Sequence, residues 1–498
     1  MEIDRMNPKL KARVGLYTTG HPLYWGQFEG LKERLSCYGK FIERQMEPYC
    51  EVKNFGIVDT VQSGREAGEF FNSENVDVIF IHSATYGLSM SVLPVHQRCK
   101  APVVILNMQP CERIDYQATS TQEWLSQDSA CAIPEFCNVF RRSGIKFNIV
   151  SGMLGMDGDV AESVTDCSTR GKDEAVQAWK EIREYIDAAM AVRNLRHSNF
   201  GFLGNFYCGM LDMYTDLTLF QAVFGAHIEL VEMSCFQKHF EKVSEREAEE
   251  KIAQINSFFT TDGDSPSDPI TKAPTQEQVT WSAKVACAQE RIVKELNLDG
   301  IAYYYRGHDD HFEDLQGGFI VGHSLLTAAG VPCAGEGDVK TALAMRICDL
   351  LNKGGSFCEI ITTDYRKKAI VIGHDGPFHI DITDKTPIMR GMALYHGKRG
   401  SGISVEASVR PGDVTTFAVA QTGNGGFRFL ASEGVAFKTE GMTIGNTETH
   451  VDFGLHPDEY YKKWFESAPT HHFALSVGHN ISVFAKIAEL LGIELIEV

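Results

Sequence analysis

Between Cys333 and His374 the chain reads CAGEGDVKTALAMRICDLL, then GGSFCE, then IVIGHDG. Glu336 and Glu359 stand in short polar breaks beside apolar segments, and His374 ends a hydrophobic, strand-like run. Carboxylates and imidazoles at the ends of core elements are held rigidly yet face a cleft, which is where acid/base or metal chemistry is built. His479, in FALSVGHNIS, occupies the same kind of setting more than a hundred residues later. Two Glu and two His could together hold a divalent cation and leave coordination positions open.

Each of these residues also has a plain structural reading. Glu336 fits a helix entry whose acidic residues favour the N-terminal dipole. Glu359 follows Phe and Cys and precedes two Ile, so it points to solvent or is buried with a partner. His374 and His479 fit capped turns. A second ligand-rich cluster, RGHDDHFEDLQG (306–317), holds His308, Asp309, Asp310, His311, Glu313 and Asp314 directly after the strand-like IAYYY. It reads as a solvated loop, or as part of the crevice that opens at the carboxyl ends of strands in an α/β fold.

The elements that must position these groups fall into three stretches. Ala12–Thr18, Val76–His82, Ala101–Asn107 and Lys146–Val150 are near-continuous apolar runs, as expected of parallel strands buried on both faces. An amphipathic helix is expected over Gly26–Met46. A long helix over 172–195 follows, and the βα alternation then resumes through FGFLGN, an apolar segment at Leu211–Phe224, HIELVEM, a helix near 244–258 and a strand at Gly300–Tyr305. The stretch 260–278 is the most loop-like in the chain and is expected to be a mobile surface loop. From about 355 onward, EIITTD, KKAIVIG, FHIDIT, DVTTFAVAQT and GFRFLASEG are divided by Gly, Pro and Asp turns, which reads as an antiparallel sheet or barrel. A strand at 472–476, a helix at 482–491 and the strand IELIEV close the chain. The expected fold is α/β: two Rossmann-like doubly wound α/β domains (1–171 and 172–330), then a C-terminal antiparallel β-barrel-like domain (331–498) carrying most of the site.

Composition narrows the function. At 498 residues the chain exceeds one hydrophobic core. A formal charge of −19 argues against nucleic-acid binding, which needs clustered Lys and Arg. No apolar run reaches the ~18 residues of a membrane span, and MEIDRMNPKLKARVG holds no apolar signal core, so a cytoplasmic location is expected. Thirteen cysteines with no CxxC pair read as free, mostly buried thiols. There is no GxxxxGK[ST], no GxGxxG in a strand–helix context and no GxSxG, so NTP chemistry, hydride transfer and serine hydrolysis lack their signatures. GNGGF (423–427) lies among hairpin segments and reads as a turn.

Together, FEDLQG, AGEGDVKTA, GGSFCE and VIGHDG, in this order, resemble the L-arabinose isomerases within the wider arabinose/fucose isomerase group. That family pattern runs approximately FEDLHG, AGEGDWKTA, GTSFMED and LGxHML. TTGHPLYWG is similar to the family's GSQHLYG, with Leu23 and Tyr24 matching. The resemblance implies a metal-dependent aldose–ketose isomerase acting through a cis-enediolate. Its metal ligands would be Glu336, Glu359, His374 and His479, the last by setting VGHNIS against the family's GAHHT. Glu336 and Glu359 would double as the acid/base pair. Substrate contacts would come from His21, Leu23, Tyr24, Met210, Cys131 and Phe312. The implied cofactor is Mn²⁺, with Co²⁺ or Mg²⁺ as substitutes. The implied partners are a small-molecule sugar and further copies of the chain, a hexamer or trimer whose N-terminal domain completes a neighbour's site.

Several departures bear on the sugar. His21 and Pro22 replace Gln and His before Leu-Tyr, Trp25 replaces a glycine, Cys131 falls where a histidine is expected, and Tyr303–Tyr305 stand in a threonine-rich stretch of the family. The substrate therefore stays open among an L-arabinose-like pentose, a deoxyhexose such as L-fucose, and a sugar derivative. A non-catalytic sugar-binding or sensor protein is the reading of a different class, and a metal-dependent epimerase or lyase acting on a related sugar acid is a third.

Overall fold

The computed structural model describes residues 3–157, 167–306, 310–392, 394–395, 398–399, 402–438 and 440–498. They form two compact units, Leu10–Arg193 and Met1–Lys9 with Asn194–Val498. The division falls within the helix Asp173–Arg196, and the segments 194–330 and 331–498 share one unit.

In the first unit five strands are all parallel: β1 (Arg13–Thr19), β2 (Glu51–Val58), β3 (Val78–His82), β4 (Val103–Gln109) and β5 (Phe147–Met153), in the order β2-β1-β3-β4-β5. The apolar runs of β1, β3 and β4 are buried on both faces, as a doubly wound sheet requires. The helix expected over Gly26–Met46 begins only at Leu31 and runs to Met46, with Gly30 in left-handed backbone (φ 82°) at its start, and a separate short helix, Pro22–Trp25, precedes it. Eleven cysteines are free, but Cys111 and Cys167 form a disulfide, which corrects the expectation of free thiols for that pair.

The second unit opens with a parallel sheet of β6 (Asn199–Gly204), β7 (His227–Val231), β8 (Gly300–Tyr304) and β9 (Cys333–Ala334), in the order β9-β8-β6-β7. Six later strands then close into an antiparallel barrel: β10 (Gly354–Asp364), β11 (Ala369–Gly373), β12 (Gly412–Gln421), β13 (Phe427–Phe437), β14 (Thr449–Asp452) and β15 (His472–Val477). The ring runs β12-β15-β10-β11-β14-β13 and returns to β12, so it has no open edge. β16 (Glu494–Glu497) lies parallel on β13. The 260–278 stretch is not a free loop: Thr260–Thr261 and Thr271–Lys272 both pair with the strand Ile388–Met392.

Between the parallel sheet and the barrel runs the helix Val339–Leu350, every residue of which is buried. A helix enclosed on all sides must match its own polar groups. Lys340 Nζ donates to the Met213 carbonyl and to Thr215 Oγ1. Arg346 donates to the Gly330 carbonyl, Asp299 and Asp349, and Arg5 adds a two-pronged pair to Asp349. Arg346→Met would leave Asp299 and Asp349 with one cation fewer inside the protein. It should cost about 3 kcal/mol, measured as a lower urea midpoint at unchanged slope. An unchanged midpoint would show that the network contributes nothing net.

Candidate functional site

The loop from Gly335 to Asp338 turns between β9 and the buried helix. Glu336 sits there with left-handed backbone, φ 60°, which costs a residue with a Cβ roughly 1–2 kcal/mol. The turn is fixed by its neighbours: Gly337 N–H donates to the Tyr303 carbonyl, and Tyr207 N–H donates to the Glu336 carbonyl. At Gly337 a Cβ would meet the Asn205 carbonyl at 2.5 Å, so glycine is required. Asp338 caps the helix, accepting from Lys340 N–H, Thr341 N–H and the Thr341 hydroxyl. Strain held in place by this many contacts is characteristic of functional loops.

Barrel register supplies the other groups. Glu359 of β10 stands directly opposite His472 of β15 on one side and Gly373 of β11 on the other, and His374 follows Gly373. Cross-strand partners share a face, so Glu359 and His472 are side by side, and the Glu336 loop brings its carboxylate against His472. Glu336 Oε2 lies 3.5 Å from His472 Nε2 and 3.6 Å from His471 Nε2. Two triads of donor atoms each fall within 4.8 Å: Glu336, His471 and His472, and Glu359, His374 and His472. Phe357 packs between the His374 and His472 rings at 4.5 and 4.4 Å.

Carboxylates behind the imidazoles set their charge. Asp338 is held well below the usual carboxylate range: burial opposes ionisation, but Lys340, His472 and Thr341 outweigh it. The anion faces His472 Nδ1 at 3.2 Å. Burial lowers the pKa of His472 despite that anion, so the neutral ring donates Nδ1–H to Asp338. Its buried Nε2 lone pair, with no hydrogen-bond partner, is left to the cluster. His471 differs: burial opposes its charge, but Glu336 and Asp212 raise its pKa to about 9, with Asp212 Oδ2 2.7 Å from Nδ1. Burial likewise disfavours charge on His374, yet Asp375 at 2.8 Å, then Glu359 and Glu336, raise its pKa overall. A negative potential that draws protons onto two imidazoles would draw a cation equally.

The structure thus brings Glu336, Glu359 and His374 together and places His479 elsewhere. His479 is exposed beyond the far end of β15, with Asp413 at 3.8 Å and Glu433 at 3.7 Å. At 3.3 Å per residue it is roughly 20 Å along the strand from His472. The imidazole beside the two glutamates is His472, a correction to the His479 assignment. The HH doublet at 471–472, opening the strand that ends before GHN, was the signal for it. His479→Ala should leave metal affinity and turnover within about two-fold, since an exposed side chain away from the cluster contributes little. A loss of metal in that variant would restore His479 as a ligand.

Met210 lies in the same loop as Tyr207, whose N–H bonds Glu336, and its own N–H donates to the Tyr207 carbonyl. Phe312 stands edge-on to Tyr305 at 5.4 Å. His311 packs against Trp281 and Phe240, while His308 and Asp309 lie outside the described residues. His21, Leu23, Tyr24 and Cys131 belong to the other unit. There the His21 ring stacks on Tyr24 at 4.7 Å and near Tyr86 at 6.3 Å. Cys131 bonds Asp128, and Leu23 is exposed.

Fold and site define an α/β protein with a carboxylate–imidazole cluster at one end of a β-barrel. The chain is 24% identical over 220 residues to proteins named sulfoquinovose isomerase from Priestia aryabhattai and Priestia megaterium, covering 44% of this chain and 48% of each relative. A protein of the same name from Alkalicoccus urumqiensis is 24% identical over 313 residues, 62% of this chain and 66% of the relative. The match therefore spans about half the length of the Priestia proteins. No family model matches the chain. A periplasmic solute-binding protein from Actinobacillus succinogenes with bound D-allose aligns at a TM-score of 0.16 and 12% identity over 65% of this chain and 78% of that one, too low for a shared fold. Among the described residues no helix is long and apolar enough to cross a membrane.

Proposed function

We propose that the protein is a metal-dependent aldose–ketose isomerase acting through a cis-enediolate. The observation that carries this reading is the pair of donor triads sharing His472, with Glu336 and Glu359 both against that ring. The residues fit a divalent cation: His472 presents an orphaned, buried Nε2 whose opposite nitrogen is tied to a buried carboxylate. Glu336, Glu359, His374 and His472 would hold it, with His471 beside them. Mixed carboxylate and imidazole donors suit Mn²⁺, with Co²⁺ or Mg²⁺ as substitutes. Such a cation supplies Lewis-acid stabilisation of the charge that develops on the sugar oxygens.

The side chains carry the proton transfers. One glutamate takes the proton from C2, and the C2–H electrons form the C1–C2 double bond while the former carbonyl oxygen gains charge. The O2 proton passes to O1, the carbonyl re-forms at C2, and the protonated glutamate, after exchange with solvent, delivers a proton to C1, which gives the ketose. Glu336 and Glu359 are assigned these two acid/base roles, each contributing about 10²–10⁴-fold. The similarity to sulfoquinovose isomerases supports sugar isomerisation as the reaction class. The reading also takes the assembly to be a homo-oligomer in which His21 and Tyr24 of one copy act at a neighbour's site.

The reading is tested by titrating the metal-free protein with Mn²⁺ and assaying aldoses, sulfoquinovose among them, with and without it. Ketose formation that depends on the cation is expected. A protein that binds sugars but forms no ketose with any of the three metals would be a binding protein instead.

A further inference from the structure

At the end of the barrel away from the cluster lies a cavity of about 720 Å³, a size suited to a small molecule. Gly354 of β10 and Val477 of β15 line it. Glu359 and His472 stand farther along the same two strands, paired with each other. At 3.3 Å per residue they are about 16 Å from the cavity. The segment after β11 joins the two places: His374 belongs to the cluster, and His379 lines the cavity.

The cavity wall carries charges of both signs. Arg5 and Asp349 are paired with each other at 2.7 Å. Asp381, Asp384, Lys385 and Arg410 remain, two of each sign. Arg410 donates an N–H to the main-chain carbonyl of Asp381. Phe258, Ile382 and Pro387 supply an apolar side. His379 is only 4% exposed, and its Nδ1 has no hydrogen-bond partner among the described residues. Burial lowers the pKa of this imidazole against the pull of Asp381 and Asp349, so the ring offers one N–H donor and one acceptor.

A small anion or cation gains little from such a wall, because it meets its own sign as often as the opposite one. An amino acid meets both signs, but with one carboxylate and one ammonium it leaves the imidazole unmatched. A hydroxyl suits the wall better, since it donates to a carboxylate or a bare imidazole nitrogen and accepts from Lys or Arg. Several hydroxyls on one carbon skeleton use all of these groups together, while the C–H faces of the skeleton cover Phe258 and its apolar neighbours.

We propose that this cavity is a second ligand site, which takes a neutral polyhydroxylated molecule, a free sugar or a polyol. The site is separate from the carboxylate–imidazole cluster and does not depend on the isomerase reading.

The test is calorimetric titration of the full chain, loaded with Mn²⁺, with two probes that have no carbonyl to isomerise: sorbitol, an open chain, and methyl glucoside, a ring that cannot open. Binding of at least one is expected, weakened by about 10- to 100-fold in Asp384→Ala and in Lys385→Ala. The main-chain contacts of these two residues, Asp384 N–H to Ser408 and the Lys385 carbonyl to the Thr383 hydroxyl, are kept in both variants. The tighter probe identifies the form that the site takes. Binding of neither probe, or binding that neither substitution weakens, overturns the inference. Acetate or glycine binding more tightly than both probes, with the same dependence on Asp384 and Lys385, also overturns it. All of these results leave the isomerase reading standing.

Discussion

Glu359→Gln is expected to lower kcat by about 10²–10⁴-fold at saturating Mn²⁺ while the protein remains folded. The substitution keeps the shape of the side chain and its place in the barrel, where backbone pairing with His472 and Gly373 fixes the residue. Glu359 is only partly buried, so an amide in its place leaves no uncompensated charge in the core. What is lost is a carboxylate able to accept a proton. Because the neutral amide is also a weaker metal ligand, the assay must be run at a metal concentration shown by titration to saturate the variant. Near-normal kcat under those conditions would remove Glu359 from the proton-transfer chemistry. Glu336→Gln should behave alike, with the left-handed backbone at φ 60° unaltered.

The second large effect concerns the metal. His472 is shared by both donor triads, so His472→Ala removes one donor from each. Mn²⁺ affinity should fall by more than the 10–100-fold typical of losing an outer partner. Asp338→Asn is that outer partner's case. Asn still caps the helix, but the anion behind His472 Nδ1 disappears and buried Lys340 loses a neighbouring carboxylate at 3.6 Å. Affinity should drop 10–100-fold, with a stability loss of a few kcal/mol from the uncompensated cation. Free Mn²⁺ at 100 times its Kd should stabilise the wild type by about 2.7 kcal/mol. Thermal melts with and without metal would show that gain missing in His472→Ala; an equal gain in the variant would place the metal elsewhere.

The fold was legible because each stretch advertises its environment. The continuous apolar runs at β1, β3 and β4 allow only strands buried on both faces, and the short Thr- and Val-containing segments after residue 355 allow only an antiparallel sheet. The all-buried Val339–Leu350 helix was not legible, since the groups that satisfy its Lys340, Arg346 and Asp349 are Met213, Asp299 and Arg5, all distant in sequence. In the site, Glu336, Glu359 and His374 were legible from their settings and order. His472 was not, because a motif match at GHN drew attention seven residues downstream, and linear spacing carries no information on which end of a strand reaches a cluster. Register does: Glu359 pairs with His472, and the six-residue strand sends His479 to the opposite end. Asp212 and Asp375 lie in unremarkable contexts and acquire meaning only from distances of 2.7 and 2.8 Å to imidazoles.

The central claim is that this cluster moves a proton between adjacent sugar carbons through an enediolate. The most direct measurement is isomerisation in D₂O with Mn²⁺-loaded protein, read by NMR on the ketose. Solvent deuterium is expected at C1, the carbon next to the new carbonyl, with the labelled ketose forming about 10²–10⁴-fold more slowly in Glu359→Gln. A ketose free of solvent deuterium at that carbon would contradict it.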